Sequence, residues 1–392
     1  MNFEFILLIL LIIIFYSYIG YIGILLIFNS INLLFKKINK NYSAYQPEVC
    51  LLVVAYNEEE FAEKKIRNTL SLNYPKKLLH KIWITDGSTD KTPSIVKNYS
   101  DITLLHRSER KGKTAAINRA LKYVNSPIVI FSDANTILSP NSISEIVKLF
   151  INPSVGCVAG EKKILKKDKD NAVNSGEGLY WMYESILKKT ESNFYSTIGA
   201  AGELFAIRTE LFNTIKEDTI LDDFEISLQV VLNGYKIKYA PKAYAIENAS
   251  INIKEELKRK TRIAAGSYQT LFRLKKLLNP FKNPILWFMY VSHKVLRWTI
   301  IPFSLPLIFV LNVLIFSKCT SCINFFSILF YCQILFYLLV LIGYFFQSKK
   351  IKYNFIYAPY YFVVMNLSLI IGFFKYINKT QTVLWEKSKR ET

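Results

Sequence analysis

The sequence predicts a doubly wound, mostly parallel α/β sheet flanked by transmembrane helices. Three observations lead there. Apolar runs of about 20 residues, enough to cross a hydrocarbon core as a helix, lie only towards the two ends of the chain: Phe5–Phe28, Thr299–Phe316, Ile323–Phe346 and Phe355–Phe374. Between them, short apolar strands alternate with helical segments, the rhythm of a parallel sheet. Polar and acidic motifs fall at the carboxyl ends of those strands, where open α/β sheets bind ligands.

The first apolar run reads as a retained anchor. It is long for a signal peptide, has no Lys or Arg before it, and is followed by Lys36, Lys37 and Lys40, not by a small-residue cleavage site. Those lysines place the next segment on the cytoplasmic side under the positive-inside rule. Residues 1–43 are thus expected to be an anchor, 44–280 a cytoplasmic domain, and 281–392 interfacial and transmembrane helices with a basic tail. The expected location is the plasma membrane of a bacterium.

Within the domain, Val49–Ala55 is a buried-strand run, and Glu59–Leu72 has helical spacing that stops before Asn73-Tyr74-Pro75. Lys81–Thr85, Thr103–His106 and Ile128–Ser132 read as further strands, with helices over Thr92–Asn98 and Lys113–Val124 between them. Further on, Thr299–Phe316 and Ile323–Phe346 form a hairpin that returns Lys349, Lys350 and Lys352 to the inside. A fourth crossing would then strand the basic tail outside, against the charge rule. Either Phe355–Phe374 is re-entrant or interfacial, or Pro284–Trp298 inserts more deeply.

The chain has 392 residues and a formal charge of +20, from 50 basic and 30 acidic side chains. Its Lys and Arg gather beside the apolar runs, so lipid head groups and a phosphate-bearing ligand account for the charge better than nucleic acid does. Cys50 and Cys157 sit in apolar strand-like runs and read as core. Cys319 and Cys322 have C-x-x-C spacing, but no second pair or His cluster completes a zinc site. A transporter fits poorly, because no intramembrane acidic residue marks a translocation path.

Each motif has a bland and a chemical reading. Ala55-Tyr56-Asn57-Glu58 opens a helix, as a cap or as part of a pocket. Asp86, before Gly87-Ser88-Thr89-Asp90, sits at a strand end in a generic turn sequence. Lys113, after Lys111-Gly112, starts a helix and can bind an anion or remain a solvated basic turn. Asp133 and Asn135 follow an apolar strand two residues apart and can reach one hard cation, Mg²⁺ or Mn²⁺, alongside substrate phosphates. Asp222 and Asp223 repel each other in an apolar setting, which raises one pKa and suits a general base, with a helix cap as the alternative. Arg262 lies on a basic helix that is either a membrane-surface helix or a phosphate clamp.

Taken in order, V-A-Y-N-E-E, T-D-G-S-T-D, R-K-G-K, F-S-D-A-N, L-D-D-F-E and R-K-T-R-I-A-A-G resemble the family 2 glycosyltransferases. The likeness is to the membrane-integrated branch that includes cellulose and hyaluronan synthases, and it covers roughly residues 49–266. It implies a GT-A nucleotide-sugar fold and transfer from a nucleotide sugar, usually a UDP-sugar, to a saccharide or lipid-linked acceptor, with inversion; the rival readings are transfer to a polyprenyl-phosphate lipid and a non-catalytic nucleotide-binding membrane module. By the same resemblance, Ala55, Tyr56, Asn57, Glu58 and Asp86 would face the nucleoside. Lys113 and Arg262 would face ribose and diphosphate, Asp133 and Asn135 the metal, Gly202 and Glu203 the acceptor, and Asp223 would be the base beside Asp222. Two positions depart from the pattern. Asn135 replaces the second Asp of D-x-D, and Ile263 replaces the Trp of Q-x-x-R-W, which in polymerising members lies beside the acceptor sugar.

Overall fold

All seven residues of Val49–Ala55 (β1) are buried, as a strand covered on both faces requires. The computed structural model describes residues 2–35, 45–165, 172–318, 324–346 and 354–384. In it β1 pairs in parallel with Leu79–Asp86 (β2) and with Ile128–Asp133 (β4), while Thr103–Arg107 (β3) extends β2. Helices Glu59–Leu70 (α3), Thr92–Lys97 (α4) and Lys113–Leu121 (α5) make the crossovers. These elements match the expected order, and their strand ends carry the acidic motifs.

Beyond β4 the sheet is mixed. Leu204–Arg208 (β7) runs antiparallel to β4 and to Val155–Leu165 (β6), β6 pairs in parallel with Lys236–Asn248 (β8), and Ile137–Leu138 (β5) edges β8. The order is β3-β2-β1-β4-β7-β6-β8-β5. The reversal at β7 has a simple cause. The loop Ile198–Glu203 already lies at the carboxyl ends of the parallel strands, so the chain enters β7 from that end and runs back.

Alternation along β1 divides the core. Leu52 packs with Ile84, Phe131 and Phe205 against α5 and Asp222–Leu232 (α8). Val53 packs with Trp83, Ile130 and Phe150 against α3 and Ser142–Val147 (α6). Cys50 and Cys157 are buried core thiols, as expected.

Four helices are long and apolar enough to cross a membrane: Phe3–Ile31, Ile300–Lys318, Phe325–Phe345 and Tyr357–Ile377. The first is Phe3–Phe15 (α1) and Tyr21–Phe35 (α2), joined by a π turn over Tyr16–Gly20. A second π turn, Val291–Val295, joins Pro284–Tyr290 (α10) to Leu296–Trp298 (α11), just before Ile300–Lys318 (α12). The two π turns meet: Tyr16 Oη and Ser292 Oγ are 2.7 Å apart, and Arg297 donates to the Ser17 carbonyl at 2.9 Å. A π turn adds one residue to a helix and re-aims its neighbours.

Asn354–Ile377 (α14), which follows Phe325–Phe345 (α13), lies along the amphipathic Ile253–Arg273 (α9). Tyr361 Oη donates to Glu256 at 3.1 Å, a Cβ on Gly372 would fall 2.4 Å from Ala264 Cβ, and the rings of Phe272 and Tyr376 stack. Thr380, Gln381, Thr382 and Leu384 then line the same cavity as the strand-end motifs. The last helix therefore brings its tail back to the domain. Lys36–Lys40, Lys349–Lys352, Cys319 and Cys322 lie outside the described residues.

Candidate active site

At the end of β1 the chain turns through Asn57, whose φ is +52°. Its side chain bridges two strand ends: Oδ1 accepts from Thr89 N at 2.8 Å, and Asn57 N donates to Ser88 Oγ at 3.1 Å. Tyr56 and Glu58 line the cavity, and Arg110 stacks 3.7 Å from the Tyr56 ring centroid. Asp86 is buried, and its two oxygens accept from Lys111 N at 2.9 Å and Gly112 N at 2.7 Å. Here Asp86 pins the loop that presents Lys113. Ala55 is a buried strand residue.

The centre of the cavity, about 990 Å³ in volume, is a knot of carboxylates around one cation. Lys113 Nζ lies 2.8 Å from Asp133 Oδ1 and 3.5 Å from Asp222 Oδ2. A Cβ on Gly202 would sit 3.2 Å from Asp223 Oδ2 and 3.3 Å from Lys113 Nζ, so Asp223 belongs to the same knot. Burial acts against its charge, yet Asp133, Asp222 and Asp223 together raise the Lys113 pKa. Burial also raises the Asp133 pKa, with Lys113 opposing. Asp223 is pushed up to about 7 by burial and then by Asp222. It is the second residue of α8, where its Oδ1 accepts from Phe224 N at 2.8 Å. The cap position itself is Leu221 and makes no side-chain bond, so Asp223 serves the start of α8 through the Phe224 N–H alone.

Asn135 Nδ2 donates to Glu247 at 3.2 Å, which leaves its amide oxygen as a possible ligand. Among the described residues no group of three His, Cys, Asp or Glu is spaced to hold a metal. One carboxylate and one amide oxygen fit a hard cation that completes its shell with phosphate and water. The residues thus fit a divalent ion carried in with a phosphate ligand, provided Lys113 yields the Asp133 oxygen. Arg262 lines the cavity, donates to the Ile220 carbonyl at 3.3 Å and, among the described residues, has a buried Nε without a hydrogen-bond partner.

Glu203 lines the cavity, but its carboxylate is committed to Lys162, which also holds Glu247 at 2.5 Å. Burial opposes the charge, and Lys162 nonetheless holds Glu203 down to about 2. Lys162 is fully buried and had no sequence signal, since it sits in an ordinary strand alternation.

The opposite wall comes from Ala172–Phe194 (α7), a helix the sequence reading did not anticipate. Tyr180, Trp181, Glu184 and Lys188 share one face of it and line the cavity, with Lys294 and Trp298 beside them. Glu184 takes His293 at 3.3 Å, Lys294 at 3.4 Å and Arg297 at 3.2 Å. Their spacing of three to four residues along α7 is the one signal that could have grouped these four.

Residues 50–215 match the family model described as glycosyl transferase family 2. They are a family 2 glycosyltransferase domain. The poly-beta-1,6-N-acetyl-D-glucosamine synthase of Staphylococcus aureus (strain COL) is 27% identical over 238 residues, 57% of this chain and 56% of that protein. The Staphylococcus epidermidis protein of the same name is 27% identical over 234 residues, with the same coverage. The chain therefore spans about half the length of the curated relatives it matches. A mannosyltransferase from Pyrobaculum calidifontis, solved in complex with GDP-Man and Mn2+, superposes with a TM-score of 0.70 at 22% identity, covering 96% of this chain and 99% of that one. That likeness establishes the GT-A fold for the family 2 domain and its flanking helices.

Proposed function

We propose that the chain is an inverting glycosyltransferase that moves a sugar from a nucleotide-sugar donor to a hydroxyl of a saccharide acceptor at the membrane. The observation that carries this is Asp223. Its carboxyl is pushed up to about 7, the range of a base that works near neutral pH. It stands next to a Lys113–Asp133 pair suited to a phosphate-bearing donor.

In this reading the nucleoside lies over Tyr56 and Glu58, on the loops that Asn57 and Asp86 hold in place. Lys113 and the buried Arg262 face the diphosphate, two cations against its charge. Asp133 and Asn135 would hold a divalent ion, which when bound would supply positive charge to the departing diphosphate. Asp223 takes the proton of the acceptor hydroxyl. A bond forms from that oxygen to the anomeric carbon, and the bond to the donor phosphate oxygen breaks. The electron pair leaves with the nucleoside diphosphate, and the anomeric carbon inverts. Most of the acceleration comes from positioning and from fixed charges around the diphosphate.

The relatives' names support a polysaccharide product, and the solved neighbour's title supports a nucleotide sugar with Mn2+ as donor. The domain faces the cytoplasm in this proposal, where nucleotide sugars are found. The test is a screen of nucleotide sugars on detergent-solubilised protein, read as released nucleoside diphosphate. One donor should release nucleotide with Mn2+ or Mg2+, and Asp223→Asn should lose transfer while keeping donor affinity. Near-normal turnover in that variant would remove Asp223 as the base. Asp133→Ala should lose the metal-dependent part of donor binding in calorimetry, and an unchanged Mn2+ effect would refute the metal assignment.

A further inference from the structure

Lys188 is 6% exposed and lines the cavity. Among the described residues it has no carboxylate within 4.0 Å and no hydrogen bond; its ammonium lies 5.5 Å from the Trp181 ring centroid and interacts at longer range with Glu161 and Lys294. A buried ammonium without a hydrogen bond is costly. The neighbouring cations differ from it. Lys162 has Glu203 and Glu247, and Lys260 has Glu256 at 3.8 Å.

The carboxylate one turn before Lys188 cannot serve it. Glu184 is already shared by His293, Lys294 and Arg297. Glu191, one turn after, takes His293 at 2.8 Å and the Tyr21 hydroxyl at 2.8 Å. This end of the cavity thus holds Lys188, Lys294 and Arg297 beside Glu184, Glu191 and Glu161, and of the three cations Lys188 alone lacks a hydrogen bond among the described residues.

Its position matters as much as its charge. Gly199, in the loop that floors the cavity, touches Phe224, while Gly202 touches Asp223 and Lys113. The loop therefore runs along the start of α8, from Phe224 to the reaction centre. The Trp298 ring, 5.2 Å from that of Phe224, lines the same end, immediately before the span that begins at Ile300. That end of the cavity therefore adjoins the foot of the membrane helices.

We propose that Lys188 and Lys294 form an anion subsite that takes the phosphate head group of a lipid-linked saccharide acceptor. This rests on the transfer reading above and names the class of its acceptor. The carrier phosphate takes no part in bond making. It anchors the acceptor so that a sugar hydroxyl lies at Asp223. A compact ammonium pair suits a phosphate as point charges do, and the bilayer supplies the lipid. Ile263 offers the acceptor sugar no ring to stack on, so charge on the carrier, assisted by Trp298, would provide the hold that the motif Trp provides elsewhere.

Binding of tritiated farnesyl phosphate to the detergent-solubilised full chain tests this without any turnover. Farnesyl phosphate should bind at least tenfold tighter than farnesol, and Lys188→Gln should remove most of that preference. Lys188→Arg, which keeps the charge, should bind within about threefold of wild type. Saturating UDP or GDP with Mn2+ should leave the binding intact. Equal binding of farnesol, wild-type affinity in Lys188→Gln, or displacement by the nucleotide would each overturn the subsite. Inorganic phosphate competing as well as farnesyl phosphate would overturn the lipid source. A chain that binds farnesyl phosphate but releases nucleotide from no donor would instead sink the transfer reading, so the two failures are distinct.

Discussion

Replacing Asp223 by Asn should cost activity and increase stability, with a pH dependence that identifies the cause. The carboxyl moves from 3.8 to about 7 on folding, through burial and the adjacent Asp222. At 1.36 kcal/mol per tenfold, ionising it inside the fold costs up to about 4 kcal/mol. The sign follows from the direction. The folded pKa is above the unfolded one, so the penalty is absent below pH 3.8, grows as pH rises, and is complete above about 7. Asparagine carries no charge and keeps an acceptor for the Phe224 N–H. The Asp223→Asn protein should therefore be more stable than wild type by about 2 to 4 kcal/mol at pH 8, a rise in Tm of about 5 °C or more. The gap should close towards pH 4. Tryptophan fluorescence melts at both pH values provide the assay. A gap of the same size at both, or a less stable variant at pH 8, would refute the electrostatic reasoning. In the wild type, turnover should fall as pH drops through about 7, because the base is then protonated.

Lys113→Met leaves Asp133, Asp222 and Asp223 clustered without their cation and should destabilise the fold by about 3 to 5 kcal/mol. Mn2+ should restore more Tm to this variant than to wild type, and an equal shift in both would count against the cluster. Lys65 is fully buried, with Nζ donating to Ser132 at 2.7 Å and Thr136 at 3.2 Å, and burial lowers its pKa to about 7. Its cost is absent above pH 10.5, grows as pH falls and is complete below about 7. Lys65→Met should therefore gain more stability at pH 6 than at pH 10, which urea titrations at the two pH values can compare. A Cβ at Gly199, where φ is +83°, would lie 2.3 Å from the Phe224 ring. Gly199→Ala should cost about 1 to 3 kcal/mol and slow turnover by shifting Asp223, checked by melts and by released nucleotide.

The parallel half of the sheet was legible because β1, β2 and β4 are short apolar runs ending in polar turns, a pattern that depends only on near neighbours in the chain. The carboxylate knot was legible for the same reason, since Asp133 ends a recognisable strand and Asp222 and Asp223 open a recognisable helix. What the pattern could not carry is pairing between distant segments. Lys65, Lys162 and Lys188 look like solvent-facing lysines in a helix or strand, and only the packed fold shows them buried. Thr380, Gln381, Thr382 and Leu384 reach the cavity because α14 lies along α9, and that follows from the fit of Gly372 against Ala264, not from hydropathy. The reversal at β7 likewise depends on where the preceding loop ends.

The two π turns impose an order of assembly. Ser17 and Tyr16 find their partners on Ser292 and Arg297 across as many as 280 residues of chain. At a synthesis rate of about 5 to 20 residues per second, roughly 15 to 60 s separate their appearance. During that interval the first helix must rest in the bilayer with its Tyr16 and Ser17 groups still waiting for those partners. The junction beside the cavity is therefore a late event in biosynthesis. A chain interrupted before Arg297 would keep the anchor's bonds to α7, from Tyr21 to Glu191 and from Asn29 to the Thr190 carbonyl, and would lack the Arg297 bond that completes the junction.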